Sequence, residues 1–194
     1  MSAATAQLHP GSTGLTRQSP HGVRNQLGRA AWGVVQCLLF RTSPRPAHRW
    51  RNLLLRLFGA EIHPTARVYP RARVWAPWNL RMDRFATIAD DVDCYCVARV
   101  TLGERAVVSQ YSYLCGATHD FEAKGRPLTP KPITIGAGAW VAADVFVGPG
   151  VTIGDHAVVG ARSSVFGDLP SGWVCVGTPA KAVRQIGFAG EGGA

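Results

Sequence analysis

Hydrophobic positions along the chain follow two rhythms, and the change falls near Ile62. Over 23–40, Val23, Leu27, Ala30, Ala31, Val34, Val35, Leu38 and Leu39 recur at three- and four-residue spacing, the pattern of one helix face. Thr42-Ser43-Pro44-Arg45-Pro46 interrupts it, since proline lacks a backbone donor and clashes with the preceding turn. A second helix is predicted over 47–58, with Trp50, Leu53, Leu54, Leu57 and Phe58 on one face and Gly59 as its stop. Residues 1–20 are rich in Ser, Thr, Gly, Gln and Pro. Such a mix buries too little to order itself, and a disordered tail is expected there.

From Ile62 onward the period is six. Positions 135, 141, 147, 153, 159 and 165 are Ile, Val, Val, Ile, Val and Val, and the residue after each is small in five of six cases. With aliphatic residues at about one position in four, six in a row is roughly a 1-in-4,000 event. Earlier tracts repeat the theme at 62, 68, 74 and 80 and at 102, 108 and 114, with register slips expected near 85–101 and 120–134. A β-sandwich would alternate with period two. A six-residue repeat instead specifies an all-β solenoid, in which each hexapeptide makes one short strand and one turn, and three close a triangular coil. Each coil buries its aliphatic residues only against its neighbours. The two helices are the natural α-helical cap for the open N-terminal end.

Composition narrows the picture. The chain has 194 residues, 46% of them apolar, and no Gly-X-Y period, which fits one domain with an extension. The longest candidate apolar run, Ala30 to Phe40, is followed at once by Arg41. It is well short of the ~18 residues that a membrane span needs. The first residues lack the basic start and apolar stretch of a secretory signal. Residues 1–60 hold eight Arg, no Lys and no acid, whereas 61–194 hold 13 basic and 12 acidic groups. That asymmetry points to an anionic partner such as a membrane surface, reached through the basic, amphipathic segment 23–58. The opposing reading is a cap whose arginines are solvated or pair with the body. Nucleic acid is not an expected partner, because no helix-turn-helix or aromatic stacking pattern accompanies the charge. Five cysteines at 37, 94, 96, 115 and 175 form no zinc half-site. They read as reduced, mostly buried thiols, which fits a cytoplasmic protein, peripheral at the inner face of the membrane if the basic segment docks there.

Several motifs carry a family resemblance. Ile-Gly-Ala-Gly-Ala-Trp-Val-Ala-Ala-Asp at 135–144, Val147-Gly-Pro-Gly-Val-Thr-Ile-Gly-Asp155 and Val176-Gly-Thr-Pro-Ala-Lys181 resemble the left-handed parallel β-helix acyltransferases. Val74-Trp-Ala-Pro-Trp-Asn79, Asp91-Val-Asp-Cys-Tyr95 and Leu114-Cys-Gly-Ala-Thr-His-Asp120 look more narrowly like the colanic-acid-biosynthesis acetyltransferase group. The match spans about 50–186. It implies a homotrimer with acetyl-CoA in clefts between neighbouring solenoids. The implied reaction moves acetyl from acetyl-CoA to a hydroxyl, on a sugar of an exopolysaccharide precursor, without metal.

The chemistry needs a base, because a hydroxyl is a poor nucleophile at neutral pH. Of six histidines, His9, His21 and His48 lie in the extension and His63 and His156 in hexapeptide turns. His119 ends a coil just before the period breaks, and it matches the family's catalytic position. By the same resemblance the Ala143 amide would receive charge on the acetyl oxygen, and the Ala161 amide would contact the pantetheine arm. Trp140 would line that groove, and Lys181 and Arg184 would meet the CoA phosphates. Asp93 and Tyr95 would hold the acceptor, or Asp93 would orient His119 across a subunit boundary. Segment 120–132, with Lys124, Arg126 and three prolines, is expected to be an extruded loop that walls the site.

Two departures stand out. Gly167 replaces the cation that the family usually places in the Val165-Phe-Gly-Asp168 stretch, a weakness for CoA that Arg162 or Lys181 would offset. Cys96 replaces a common Asn, a change expected to bear on acceptor choice. The partition is therefore a tail at 1–20, a basic helical cap at 21–60, a β-helix at 61–180 and a C-terminal tail at 181–194. Competing readings are a non-polysaccharide acceptor (serine, an antibiotic or a nucleotide sugar) and a non-catalytic hexapeptide scaffold. A zinc-dependent carbonic anhydrase, which uses the same fold, is disfavoured because His63, His119 and His156 are far apart in sequence.

Overall fold

The structure is a computed structural model that describes residues 22–187. The expected tail at 1–20 and positions 188–194 lie outside the described residues. From Glu61 the chain winds through coils that each supply one strand to three parallel faces. Face A comprises Glu61–Ile62, Leu80–Met82, Val100–Leu102, Ile133–Ile135 and Thr152–Ile153; face C comprises Arg73–Val74, Asp93–Tyr95, Tyr113–Cys115, Phe146–Val147 and Ser164–Val165. Face B runs through Arg67–Val68, Thr87–Ile88, Val107–Val108, Trp140–Val141, Val158–Val159 and Trp173–Gly177 to Ala180–Gln185.

The hexapeptide columns become the core. Val68, Ile88, Val108, Val141, Val159 and Cys175 pair in register down face B. Ile62, Met82, Leu102, Ile135 and Ile153 do so on face A, and Val74, Cys94, Leu114, Val147 and Val165 on face C. All are buried. The small residue after each aliphatic one has a steric cause. A Cβ on Gly136 would stand 2.6 Å from the Asp155 nitrogen of the next coil, so any side chain there would push successive coils apart. At the A-to-B and B-to-C corners a residue with φ near +60° turns the chain. Asp91, Arg105, Tyr111, Asp144, His156 and Arg162 all take this conformation. His156 is thus a corner residue, and His63 bonds locally to Thr65. Among the described residues no group of three His, Cys, Asp or Glu side chains is placed to hold a metal.

The register slips occur somewhat differently from expectation. The first falls at 75–79, where Pro77–Asn79 form a 3-10 turn, so Met82 rather than Leu80 takes the column position. Leu80 is nevertheless buried. Asn79 closes that corner by donating to the carbonyls of Cys96 and Val97 at 3.0 and 2.8 Å.

Two helices, α1 (Val23–Val35) and α2 (His48–Leu57), cap the first coil, with a π-helical extension of α1 over Gln36–Phe40. A β-helix ends in a row of unpaired backbone groups, an edge that must be covered. Here side-chain donors cover it. Arg56, Asn52, Arg51, Gln36 and Trp32 donate in turn to the carbonyls of Ile62, Ala66, Val68, Ala72 and Val74, at 2.8, 2.7, 2.6, 3.3 and 2.7 Å. Arg51, fully buried, also donates to Ser43 Oγ and the carbonyls of Pro44 and Arg45, locking the interhelical link. Most apolar residues read from sequence face outward, although Leu54 is buried and Val35 and Phe58 pack against the core. Val23, Leu27, Val34, Leu38, Trp50, Leu53 and Leu57 are exposed, while Trp32, Phe40, Arg51, Asn52, Leu54 and Leu55 are buried. Polar residues were needed inward because the surface they cover is a row of carbonyls.

The far end also differs from the expected partition. Ala180–Gln185 is a strand antiparallel to Trp173–Gly177, so the expected C-terminal tail starting at 181 begins instead as part of face B.

Candidate active site

The period break at 120–132 is a hairpin rather than a plain loop. Ala117–His119 pairs antiparallel with Leu128–Pro130, His119 opposite Leu128. Asp120 Oδ1 accepts from the amides of Glu122 and Ala123 and closes the tip. Lys131 N bonds Gly116 O at 3.0 Å and ties the hairpin base to the C-to-A corner. His119 is exposed at this position, with Nδ1 2.7 Å from the Arg126 carbonyl. A carbonyl only accepts, so Nδ1 carries the proton and Nε2 keeps its lone pair. Nε2 has no partner among the described residues. The hairpin therefore fixes the proton on Nδ1, the tautomer that a base acting through Nε2 requires.

Face B supplies a second constellation. Trp140, Val158, Val174 and Arg184 are successive register partners, so they form one outward column. A register shift between Val174 and Cys175 places Lys181 opposite Val176. Because Val174 and Val176 share a face, Lys181 and Arg184 share it too. Both cations are exposed. Trp140 is half-exposed and donates from Nε1 to Ser109 Oγ of the preceding coil at 2.9 Å, which anchors the indole.

The adjoining B-to-C corner carries Ala143 and Ala161 one coil apart. Arg162 N bonds Ala143 O at 3.0 Å, and Asp144 N bonds Gln110 O at 3.0 Å. The amides of Ala143 and Ala161 themselves have no partner among the described residues. Two free N–H groups thus line a corner beside an aromatic–aliphatic strip that ends in two cations. The same face continues toward the cap as an open cleft, which sequence reasoning missed. It is lined by Arg45, Tyr69, Arg71, Asp90, Ser109 and Tyr111. Its polar floor includes Asp90, which accepts from Arg71 N at 3.0 Å and pairs with Arg45 at 3.3 Å. Nothing in the period signals this cleft, because its residues come from four separate segments.

The sequence at 45% identity to a known protein decides the family. WcaF of Escherichia coli (strain K12), which carries the name "Putative colanic acid biosynthesis acetyltransferase", matches over 168 residues, 86% of this chain and 92% of the relative. The chain belongs to the hexapeptide-repeat acetyltransferases. The family profile for the bacterial transferase hexapeptide (six repeats) matches residues 132–167. Among solved structures, this acetyltransferase is similar to the hexapeptide-repeat acetyltransferase VCA0836 of Vibrio cholerae O1 biovar eltor, complexed with acetyl coenzyme A. Their TM-score is 0.76 at 26% identity, over 86% of this chain and 91% of that one. It is also similar to a galactoside acetyltransferase in complex with coenzyme A, with TM-score 0.74 at 25% identity over 87% and 86% of the two chains.

The remaining expected site residues are placed less simply. Asp93 pairs with Arg73 of the preceding coil at 2.9 Å. Tyr95 packs between Trp75 and Tyr113 in an aromatic ladder down face C, with ring centroids 5.4 and 6.3 Å apart. Neither is hydrogen-bonded, ion-paired or ring-stacked with His119 among the described residues. Cys96 is fully buried, its thiol bonded to the Ala76 backbone. Any bearing of Cys96 on acceptor choice would therefore act through the backbone it holds rather than through the thiol itself. Gly167 lies at a C-to-A corner where an added Cβ would meet nothing within 4 Å.

Proposed function

We propose that this acetyltransferase moves acetyl from acetyl-CoA to a hydroxyl of a sugar, in the biosynthesis of an exopolysaccharide, with His119 as general base. The free Nε2 of His119 carries this reading. Nε2 takes the proton from the acceptor hydroxyl as its oxygen adds to the acetyl carbonyl, while Nδ1–H stays on Arg126 O and steadies the imidazolium; the adduct then collapses with cleavage of the C–S bond, and Nε2 returns the proton to the departing CoA sulfur. Acetyl-CoA supplies the activated acetyl group as a thioester. The Ala143 amide donates to the carbonyl oxygen as charge builds on it, and the Ala161 amide holds the pantetheine arm one coil further on. Trp140 and Val158 line that arm, and Lys181 and Arg184 meet the phosphates. Asp93 and Tyr95 orient the acceptor, a role favoured by their place one coil before the hairpin.

The two constellations stand on different edges of the prism, His119 at a C-to-A corner and the amides at a B-to-C corner. A site that uses both is completed by a neighbouring chain, which supports a homotrimer with three shared clefts. His119→Ala tests the chemistry. Acetyl transfer to a panel of sugars is expected to fall at least ~100-fold, the usual worth of a general base, while calorimetric binding of acetyl-CoA persists. Full activity in the folded variant would overturn the role of His119. Activity on serine or a drug hydroxyl but on no sugar would overturn the acceptor class.

A further inference from the structure

The basic residues of the N-terminal cap divide into two groups once their contacts are known. Arg51 and Arg56 donate to carbonyls of the first coil, Arg29 lies over Trp75 with its guanidinium carbon 4.3 Å from the ring centre, and Arg45 pairs with Asp90. Arg24, Arg41 and Arg49 are exposed and form no ion pair among the described residues. The capping of the coil edge therefore explains only part of the charge.

The outward apolar residues form one surface. Val23, Leu27, Val34 and Leu38 fall within about 60° of each other on a helical wheel. Val23 and Leu57 are each 72% exposed, Leu27 67% and Leu38 62%. On α2, Trp50, Leu53 and Leu57 make a matching stripe. The two helical segments approach each other at both ends. Trp50 Nε1 donates to Leu39 O at 3.1 Å, and Leu57 shares a recess with Arg24, Gly28, Phe58 and Trp78. Arginines rim this surface, and residues 22–60 contain no acid.

We infer that this face of α1 and α2 docks on an anionic lipid bilayer. Charge complementarity selects the occupant. A second copy on the same face would set the unpaired Arg24, Arg41 and Arg49 of each cap against the same three of the other, with no carboxylate in either cap to offset them. A bilayer with anionic headgroups takes both features at once: the apolar stripe enters the acyl boundary and Arg24, Arg41 and Arg49 reach phosphates. No described helix is long and apolar enough to cross the membrane, so the contact lies in the interface plane. This inference is independent of the transferase chemistry.

Flotation of the full chain with vesicles tests it. The protein is expected to float with phosphatidylcholine vesicles that contain about one-third phosphatidylglycerol, to stay behind with phosphatidylcholine alone, and to be released by salt. Leu27→Gln with Leu38→Gln and Leu53→Gln should abolish flotation. Arg24→Gln with Arg41→Gln and Arg49→Gln should weaken it on the order of 100-fold, at about fivefold per arginine. Unchanged acetyl-CoA binding and thermal midpoint certify that both variants fold. Failure of the wild type to float on anionic vesicles at low salt would overturn the inference. So would equal flotation on neutral vesicles, or flotation of the apolar variant. A fall in the protein's solution mass on making the apolar variant would show instead that copies of the chain cover this face.

Discussion

His119 shows how much one backbone carbonyl decides. The tautomer of an exposed imidazole follows its hydrogen bonds, and here Arg126 O, seven residues on, accepts from Nδ1 and leaves Nε2 free. In the proposed site Ala143 and Ala161 would act through amides rather than side chains, so their methyl groups would matter only by being small enough to admit a thin ligand. Gly167 is the opposite case, a missing side chain with open space around it and no left-handed φ to forbid replacement. Gly167→Lys is therefore expected to fold normally. It should tighten acetyl-CoA by about fivefold in a calorimetric titration, the upper worth of an exposed charge contact. Unchanged affinity would show that Lys181 and Arg184 already satisfy the phosphates.

At the scale of elements, the cap and the hairpin follow different logic. The hairpin is an insertion at one corner, held by its own ladder and by one bond back to Gly116, so it can carry function without disturbing the stack. The cap must satisfy a fixed row of carbonyls, and His48 is drawn into that task, with Nδ1 3.0 Å from Val68 O and 3.1 Å from Arg51. Burial, with the nearby Arg51 charge, holds its pKa below the ordinary 6.5. A histidine depressed in the fold binds fewer protons than in the unfolded chain between its folded pKa and 6.5. Stability therefore rises with pH through that window and is lost as pH falls below about 6.5. Urea denaturation of wild type and His48→Asn across this range should show the variant with a flatter dependence. Parallel curves would remove His48 as the cause.

At the scale of the whole molecule, stacking makes every coil depend on the next, and it also distributes the site. The hairpin and the face B strip do not meet within one chain. If neighbouring chains complete each site, two inactive variants should rescue each other. His119→Ala chains keep the strip, and Lys181→Glu/Arg184→Glu chains keep the base. In randomly mixed oligomers, roughly a quarter of the sites would pair the intact halves. Co-expression should therefore restore about that fraction of activity, measured at limiting acetyl-CoA. No recovery from a mixed oligomer would place both halves in one chain.

The six-residue repeat was enough to specify the coils, the buried columns and the corner glycines, because each is a local steric requirement repeated down the axis. It also exposed His119 as the residue where the repeat breaks, and the motif at 176–184 pointed to Lys181 and Arg184. The orientation of the cap helices could not be read the same way. Their apolar spacing correctly marked helices, but which side faced the body depended on what lay beneath, and the body offered carbonyls that call for Arg51, Asn52 and Trp32. Burial of Cys96 fits the reading of the cysteines as mostly buried thiols, but its bond to the Ala76 backbone across an irregular corner has no signal in the repeat. The cleft floored by Asp90 and the shared face of Lys181 and Arg184 were likewise decided only by stacking, which brings together residues far apart in the chain and, through one bulge, rotates a side chain onto its neighbour's side.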